Sequence, residues 1–273
     1  MKKITQEDAK RITDKVLSLS KADQCEVQLS GGRSGNIRFA RNAVSTAGEV
    51  NDINLVISAA YGTKQGTVTL NELDDASLAK GVQRAQDLAK LAPENPEFMP
   101  AVAKQTYAAT PTFVQATQDI NPNFRAEVAR LSIETCKKKG LVAAGFFIDN
   151  NGFECNANSN GMFGFANTSN TNFTLTSRTE DGRGSGWVTR GGVDVRKFDA
   201  KLAAEIAVEK ALQSVDAKAL EPGRYTVILE PSAASGLMAP MFFGFDARSA
   251  DEGRSFMAKK GGGTRLGEKL LDE

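Results

Sequence analysis

The sequence predicts an α+β fold: two successive units of helix and antiparallel sheet, joined by a proline-rich linker and followed by the start of a β-rich C-terminal domain. Apolar residues recur at helical spacing in four segments and alternate with polar residues between those segments. Five of the eight prolines fall within thirty residues, where they disfavour helix and sheet interiors. We therefore expect an N-terminal unit at 1–92, the linker at 93–123, a middle unit at 124–214 and the beginning of a third domain at 215–273.

Four amphipathic helices are predicted, two in each unit. The first begins at the Thr5–Asp8 capping box, and the second begins at about Leu73 and ends before Pro93. The third ends at Lys137–Gly140, a basic last turn with a glycine stop, and the fourth spans Asp199–Gln213. The apolar positions expected on their buried faces are Ala9, Ile12, Val16 and Leu19; Leu78, Val82, Ala85 and Ala89; Phe124, Val128 and Leu131; and Ala203, Ile206, Ala207 and Ala211.

Strands are predicted between these helices. In the first unit, alternation predicts four strands, with turns at Gly31-Gly32 and near Gly62. In the middle unit, Asn151-Gly152, Asn160-Gly161 and Asp181-Gly182 suit type I′ hairpin turns. Five strands of an antiparallel meander are predicted, at 141–149, 153–158, 162–167, 173–179 and 187–189. The three turns lie between the first and second, the second and third, and the fourth and fifth of these strands.

The last segment predicts only the first elements of the third domain. Pro222-Gly223 precedes a predicted strand at Tyr225–Leu229, and a helix is expected from Pro231 or Ser232. Because only one or two elements fit before Glu273, we expect this domain to be incomplete, with a strand edge and an apolar helix face left uncovered.

Composition excludes several classes of protein. The 34 basic and 33 acidic side chains give a net charge of +1, which provides no field to recruit nucleic acid or an anionic membrane. The chain has no histidine, which removes Ser-His-Asp and Cys-His catalysis and histidine-ligated zinc. The three cysteines lack a CxxC pattern and argue against a disulfide scaffold or a thiolate metal cage, so a reducing compartment fits best.

No targeting or membrane-spanning segment is evident in the sequence. Met1–Asp8 is not followed by the apolar region of a signal peptide. The longest nearly continuous apolar run, Leu141–Ile148, is far shorter than the roughly 20 residues that span a bilayer. We expect a soluble, cytoplasmic chain with no membrane partner and no direct nucleic-acid partner.

Several motif-like patterns favour a structural interpretation. Gly182–Gly186 lacks the strand–turn–helix context of a nucleotide fingerprint, and Gly261–Thr264 lacks the Gly-Lys-Ser/Thr ending of a phosphate loop. Turn chemistry is expected to account for the asparagines of Asn150–Asn172. Adjacent carboxylates diverge, and thiols without a neighbouring cation pack as core, so no catalytic role is assigned to Asp74-Asp75, Glu180-Asp181, Cys136 or Cys155.

Four segments together resemble a known family. They are Glu221–Met238, Asn36–Asn42 with the hairpin Val50–Gln65, Asp199–Ser214, and Ser255-Phe256 with Leu266–Lys269. Their order and spacing resemble the TldD/PmbA family, also called modulators of DNA gyrase or TldD/TldE metallopeptidases. The resemblance extends over the whole chain, although family members continue through a long C-terminal half.

The resemblance also marks a degenerate metal site. In the TldD branch, a helix carries His-Glu-x-x-x-His, which supplies two zinc ligands and a catalytic glutamate. Those positions fall on Pro240, Met241 and Phe245, none of which can serve as ligand or base. The pattern therefore resembles the TldE (PmbA) branch, and it implies no catalytic, cofactor-binding or metal-binding residue in this chain. The same apolar side chains also suit a plain core.

The function implied by this resemblance is that of a non-zinc-binding TldE/PmbA-like subunit, a pseudoenzyme, in a TldD/TldE-type metallopeptidase complex. Zinc is expected only in a TldD-type partner, and the complex would act in proteolysis or maturation of small unfolded peptides. A heterodimer with that partner and a homodimer both remain open. The alternative is a non-catalytic protein that binds and modulates DNA gyrase or another macromolecule. An independent hydrolase that uses Ser or Lys has no recognisable constellation behind it.

Overall fold

The computed structural model describes residues 4–270, which divide by contact density near residue 217 into two units. The helices are α1 (Gln6–Leu19), α2 (Asp75–Leu91), α3 (Gln115–Gln118), α4 (Pro122–Lys137), α5 (Ala200–Gln213), α6 (Pro231–Phe243) and α7 (Ala247–Asp251). The strands are β1 (Gln24–Ala40), β2 (Ala43–Tyr61), β3 (Lys64–Leu70), β4 (Val142–Asn158), β5 (Phe163–Arg178) and β6 (Ser185–Gly192). No helix within the described residues is long and apolar enough to cross a membrane.

All six strands lie in one antiparallel sheet. The strand order is β3-β2-β1-β4-β5-β6. The first and middle predicted units meet at the β1–β4 pair, which runs from Glu26 opposite Asn158 to Phe39 opposite Gly145. The prediction of helices with antiparallel sheet is confirmed, and the strands of the two halves form a single sheet.

Two of the predicted turns are wrong. β1 runs without interruption through Gly31-Gly32, and β4 runs through Asn151-Gly152. These glycines allow two backbones to approach, because a Cβ on Gly32 would lie 2.3 Å from the Asn151 carbonyl oxygen and one on Gly152 would lie 2.5 Å from that of Gly31. A glycine that permits close backbone contact gives the same sequence signal as one that turns the chain.

The turn between β1 and β2 is the one that the sequence did not indicate. Arg41 and Asn42 form it with φ values of 50° and 61°. Two successive left-handed residues are the geometry of a type I′ turn, for which Asn-Gly is the usual sequence signal. The predicted turns at Gly62, Asn160-Gly161 and Asp181-Gly182 are confirmed, since Gly62, Gly161 and Gly182 have positive φ between strands.

The five predicted strands of the meander are three long ones, β4, β5 and β6. Most of the asparagines between Asn150 and Asn172 therefore lie within strands, so turn chemistry does not account for them. Asn150 instead donates a side-chain hydrogen bond of 3.0 Å to Asn170 on the neighbouring strand. An amide pair across two strands contributes to sheet stability in the way that other polar cross-strand pairs do.

Side-chain caps fix the ends of the helices. The predicted Thr5–Asp8 capping box is present at α1, and Asp74 and Asp199 cap α2 and α5. Asn121 caps α4 and Pro122 is its first residue, so this helix begins inside the segment that was predicted as linker. Proline fits the first helical position because the amide hydrogen it lacks would have no partner there.

Within the first unit, α1, α2, α4 and α5 pack on one side of the sheet in two apolar clusters. The first cluster joins α1 and α2 to one end of the sheet, and the second joins α4 and α5 to the other end. Every predicted helix face lies in these clusters. Buried members are Ala9, Ile12, Val16, Leu78, Val82, Ala85, Val128, Ala203, Ala207 and Ala211; Leu19, Phe124, Leu131 and Ile206 pack against them half-buried, and Ala89 is buried.

Residues 93–114 contain no helix or strand, but they are held to the sheet. The Ala101 amide donates to the Gln24 side chain at 2.7 Å. Further along, the Ser169 amide on β5 donates to the Thr112 carbonyl at 2.8 Å, and the Thr112 hydroxyl donates to the Asn167 carbonyl at 2.8 Å. This stretch therefore covers part of the β5 edge that β6 leaves free.

The second unit is helical where it is regular. α6 begins at Pro231, as expected. The strand predicted at Tyr225–Leu229 is absent, because no other segment of the described residues 218–270 pairs with it. Pairing in this unit is limited to one bridge, between Ala258 and Thr264, so the described residues do not form the β-rich beginning that the sequence suggested.

Two glycines of β6 test how closely α5 packs on the sheet. A Cβ on Gly186 would lie 2.0 Å from the Ala207 carbonyl oxygen of α5, whereas one on Gly192 would meet nothing within 4 Å. We expect Gly186→Ala to lower the free energy of unfolding by about 1–3 kcal/mol through overpacking. Gly192→Ala, on the same strand, should change it by less than about 0.5 kcal/mol. Urea denaturation measures both, and equal effects would contradict this packing.

Candidate functional site

The positions that the resemblance assigns to the zinc motif lie at the end of α6 and just beyond it. Pro240 and Met241 are within the helix, and Phe245 follows its last residue by two positions. Zinc in proteins is held by thiolate, imidazole or carboxylate groups. None of these three side chains carries such a group, so the donor set at these positions does not fit a zinc ion.

Aromatic rings surround the last of these positions. The Phe245 ring centroid lies 6.2 Å from that of Phe242 and 5.4 Å from that of Phe256. Gly244 is pressed against Phe256, since a Cβ there would lie 2.2 Å from the ring. The Ser255 hydroxyl donates to the Gly244 carbonyl and holds the same turn. This local arrangement is an aromatic cluster whose rings are exposed, so the expectation that these side chains form a plain core is wrong for the described residues of this unit.

Acidic and thiol side chains elsewhere in the described residues do not form a metal site. Across residues 4–270, no three His, Cys, Asp or Glu side chains lie close enough together to hold a metal ion. Asp74 and Asp75 diverge: Asp74 accepts hydrogen bonds from the amides that it caps, and Asp75 pairs with Lys15 at 3.2 Å. The pKa of Asp74 is lowered by its hydrogen bonds from Ser77.

The three cysteines are free and buried. Burial raises the pKa of each thiol, and for Cys155 it raises the pKa to about 11, although Lys10 opposes the shift. Cys136 donates to the Ser177 hydroxyl at 3.4 Å inside the second apolar cluster. The expectation that Cys136 and Cys155 pack as core is confirmed, and their protonated thiols are poor nucleophiles.

A polar cluster with a buried centre separates the two apolar clusters, and we refer to it as the polar seam. Its buried members are Arg125, Asp149 and Asn151, while Arg33 is half-buried and Glu49 is exposed at its edge. On β4, Asp149 and Asn151 lie between Phe147 of the second apolar cluster and Phe153 of the first. Asp149 is fully buried, and Arg125 of α4 is 3 % exposed. Charges buried to this extent require partners.

Each charge in the polar seam is paired. The Arg125 Nε donates to Asp149 at 2.6 Å and its Nη2 donates to Glu49 at 3.0 Å, while Arg33 donates to Asp149 at 2.9 Å. Burial alone would lower the pKa of Arg125, but the hydrogen bonds to Asp149 and Glu49 outweigh it and raise the pKa. Two guanidinium groups thus balance two carboxylates, so the polar seam holds α4 to the sheet and leaves no free acid or base.

Two further features make room for this arrangement. Gly35 leaves the space that the Arg125 guanidinium fills, since a Cβ there would lie 1.8 Å from Nη2. Asn151 donates to Asp149 at 3.5 Å, but its buried Oδ1 accepts no hydrogen bond. A buried acceptor of this kind is commonly satisfied by an internal water molecule.

The sequence contained signals for the polar seam that our prediction did not use. Asp149 interrupts the alternating apolar positions of β4, and Arg125 lies on the α4 face of Val128 and Ala129. A charged residue at a core-facing position needs a partner of opposite charge. Pattern reasoning could have found both residues, but it could not have paired them.

Two protein-family models match the chain. The model described as PmbA/TldA metallopeptidase domain 1 matches residues 25–89, and the model described as PmbA/TldA metallopeptidase C-terminal domain matches residues 222–273. The two matched segments, one in each unit, are thus similar to metallopeptidase-type domains. Both models describe domains of the PmbA/TldD family, which the sequence resembles. No curated protein matches the sequence.

Solved structures share the fold. The match with a candidate modulator of a DNA gyrase from Thermotoga maritima covers 85% of this chain and 54% of that one, at 16% identity and a TM-score of 0.76. The match with a candidate modulator of DNA gyrase from Bacteroides thetaiotaomicron covers 94% of this chain and 61% of that one, at 17% identity and a TM-score of 0.76. The match with TldE from Thermococcus kodakarensis covers 76% of this chain and 47% of that one, at 17% identity and a TM-score of 0.66. This chain therefore spans about half to three fifths of the length of these proteins.

The polar seam gives a prediction for stability. Arg125→Met leaves the buried Asp149 with a weaker set of partners, so we expect the free energy of unfolding to fall by about 3–5 kcal/mol. Arg130→Met on the same helix removes only exposed ion pairs to Glu127 and Glu134 and should cost less than about 1 kcal/mol. Urea denaturation of both variants makes the comparison. Adding Asp149→Asn to Arg125→Met should recover part of the loss, and a further loss would contradict the pairing.

The buried thiols give a prediction for reactivity and pH dependence. Because the folded protein keeps Cys155 protonated up to a pKa of about 11, against 9.0 ordinarily, the contribution of this thiol to stability is complete below pH 9 and is lost as pH rises through about 11. At pH 8, a chromogenic disulfide reagent should react slowly with the native chain and rapidly with all three cysteines after denaturation. A fast-reacting thiol in the native chain would contradict this burial.

Proposed function

We propose that this chain is a non-zinc-binding, TldE/PmbA-like subunit of a TldD/TldE-type metallopeptidase complex that processes small unfolded peptides. The observation that carries the proposal is the absence of any ligand or base side chain at Pro240, Met241 and Phe245. The matches of residues 25–89 and 222–273 to PmbA/TldA metallopeptidase domain models supply the metallopeptidase context. One of the proteins with this fold is a TldE.

The chemistry of α6 supports a role other than metal binding. Pro240 has no side-chain donor, and a proline within a helix also removes a backbone hydrogen bond at a cost of about 3 kcal/mol. Met241 cannot act as a carboxylate base, and Phe245 packs against Phe242 and Phe256. In this proposal zinc and the catalytic glutamate belong to a TldD-type partner. This chain contributes binding surface and needs no cofactor of its own.

The partner in this proposal is a TldD-type subunit, and a homodimer of the present chain is the other arrangement to test. Complex, substrate and cytoplasmic location are parts of the same proposal. Direct action on DNA gyrase is less favoured, since the net charge of +1 provides little attraction for DNA.

The proposal predicts the metal content of the chain. After incubation with zinc and removal of free metal, the purified chain should retain no stoichiometric zinc by elemental analysis, because positions 240, 241 and 245 offer no ligand. The combined variant Pro240→His, Met241→Glu, Phe245→His should also fail to hold zinc, since α6 ends at Phe243 and does not carry position 245. About one tightly held zinc per unmodified chain would refute the non-metal-binding assignment.

Activity tests the partnership. The chain alone should not cleave a short, unfolded, fluorogenic peptide, and neither should a TldD-type subunit alone at the same concentration. The mixture should cleave it, and a chelator should abolish the cleavage. Cleavage by the unmodified chain alone that a chelator does not affect would sink the proposal and favour an independent hydrolase. A mixture without activity, whose components also fail to co-elute in size-exclusion chromatography, would argue against a complex with that partner.

A further inference from the structure

A second candidate site lies at the end of the sheet where β1 turns into β2. It is a cavity of about 840 Å³ between that turn, the start of β4 and the end of β5. Its strand residues, such as Ala144 and Arg178, alternate with the buried Ala143 and Ser177, so the cavity opens on the side of the sheet away from the helices. Its volume is in the range of small-molecule sites.

Two unpaired guanidinium groups line this cavity. Arg41 and Arg178 are exposed, and neither forms an ion pair or a side-chain hydrogen bond with any described residue. Glu180 is the one acidic side chain in the lining, so the lining carries two positive charges and one negative charge, a net charge of +1. Most other arginines of this sheet and its helices are paired, as Arg33, Arg125 and Arg130 are.

The backbone at Arg41 is unusual for its residue type. Within the described residues, Arg41 and Asn42 are the non-glycine residues with positive φ. Asparagine adopts this region readily, but arginine pays a steric cost there that glycine or asparagine would avoid. Backbone strain of this kind is most often retained at functional positions.

The turn that carries Arg41 is held firmly against β4. The Asn42 side chain donates to the Leu141 carbonyl at 3.1 Å and accepts from the Ala143 amide at 2.8 Å, and its own amide donates to the Ala143 carbonyl at 3.2 Å. These three contacts fix where the Arg41 side chain leaves the backbone. The exposed Arg41 side chain still orders when it binds a ligand, but the backbone that carries it does not have to.

We propose that this cavity binds a carboxylate-bearing ligand between Arg41 and Arg178. The planar guanidinium matches a carboxylate through two parallel hydrogen bonds, and one carboxylate neutralises the net charge of +1. A phosphodiester backbone would present several charges to a lining that also contains Glu180. Ala40, Val142 and Ala144 give the cavity an apolar wall for the rest of the ligand. This proposal does not depend on the function proposed above.

The fluorescence of Trp187 can report ligand binding in this cavity. It is the only tryptophan of the chain and lies opposite Thr176, a residue of the cavity lining. Titration with acetyl-trialanine that has a free C-terminal carboxylate should change the tryptophan fluorescence, and the same peptide with an amidated C-terminus should bind at least about tenfold more weakly. Butyrate separates the sources of the carboxylate: binding equal to that of the peptide indicates a free organic acid, and weaker binding indicates a peptide terminus.

Variants test the two arginines. Arg41→Asn keeps a residue that tolerates the left-handed turn, and Arg178→Met keeps the length of the side chain, so both should retain the melting temperature of the parent. Each should weaken binding of the free-carboxylate probe at least about tenfold. Arg84→Met, which removes an exposed arginine of α2 at a different cavity, is the matched control and should bind like the parent.

Three results would overturn this proposal. The amidated peptide could bind as well as the free carboxylate, or Arg84→Met could lose as much affinity as Arg41→Asn. Alternatively, a short duplex DNA could compete for Arg41 and Arg178 more strongly than the peptide, with the steep salt dependence of phosphate contacts, and the site would then be a nucleic-acid contact. Zinc content and peptidase activity enter none of these measurements, so failure here leaves the proposed subunit role unaffected.

Discussion

The buried pairing of Arg125 with Asp149 is the interaction on which the arrangement of the first unit depends. A sheet with strands of up to 19 residues is too long for one pair of helices to cover, so two helix pairs cover its two ends. Where the area covered by α1 and α2 meets the area covered by α4 and α5, β1 and β4 carry polar side chains on the same face of the sheet as these helices. Burying those charges without partners would cost several kcal/mol per ion, and the second guanidinium and second carboxylate reduce that cost. The polar seam therefore fixes where α4 lies on the sheet.

The same constraint explains the positions of small residues along the strands. Gly35 leaves room for the Arg125 guanidinium, and Gly31, Gly32 and Gly152 bring the backbones of β1, β2 and β4 close together beside the polar seam. At the far end of the sheet, Gly186 lets α5 lie directly on β6. Glycine in these strands thus serves contacts between elements, and the chain accepts the entropic penalty of glycine in a strand to make those contacts.

The difference between local signals and contacts between distant elements also decides how much of the fold the sequence could predict. The helices follow from local information: the Thr5 capping box, the Asn121 cap and the 3.6-residue apolar period act within a few neighbouring residues. The strand lengths do not, because Gly31-Gly32 and Asn151-Gly152 satisfy a local rule for turns while serving contacts between distant strands. Arg125 and Asp149 are separated by 24 positions and Arg33 and Asp149 by 116, so no pattern along the chain could pair them. That Pro240, Met241 and Phe245 carry no zinc-binding group follows from the sequence alone, since it is a property of each side chain, and their assignment to the zinc motif stays a prediction.

In the region around α6, three substitutions would not be enough to turn the aromatic cluster into a metal site. Two ligands and a base at 240, 241 and 245 would have to be held in a fixed geometry by the backbone and by neighbouring side chains. Here α6 contains Pro240 and ends at Phe243, and the close contact between Gly244 and the Phe256 ring sets the direction of the chain beyond it. The local backbone is therefore adapted to packing Phe242, Phe245 and Phe256 together. New ligand side chains on this backbone would still lack the geometry and the supporting hydrogen bonds that hold a metal ion.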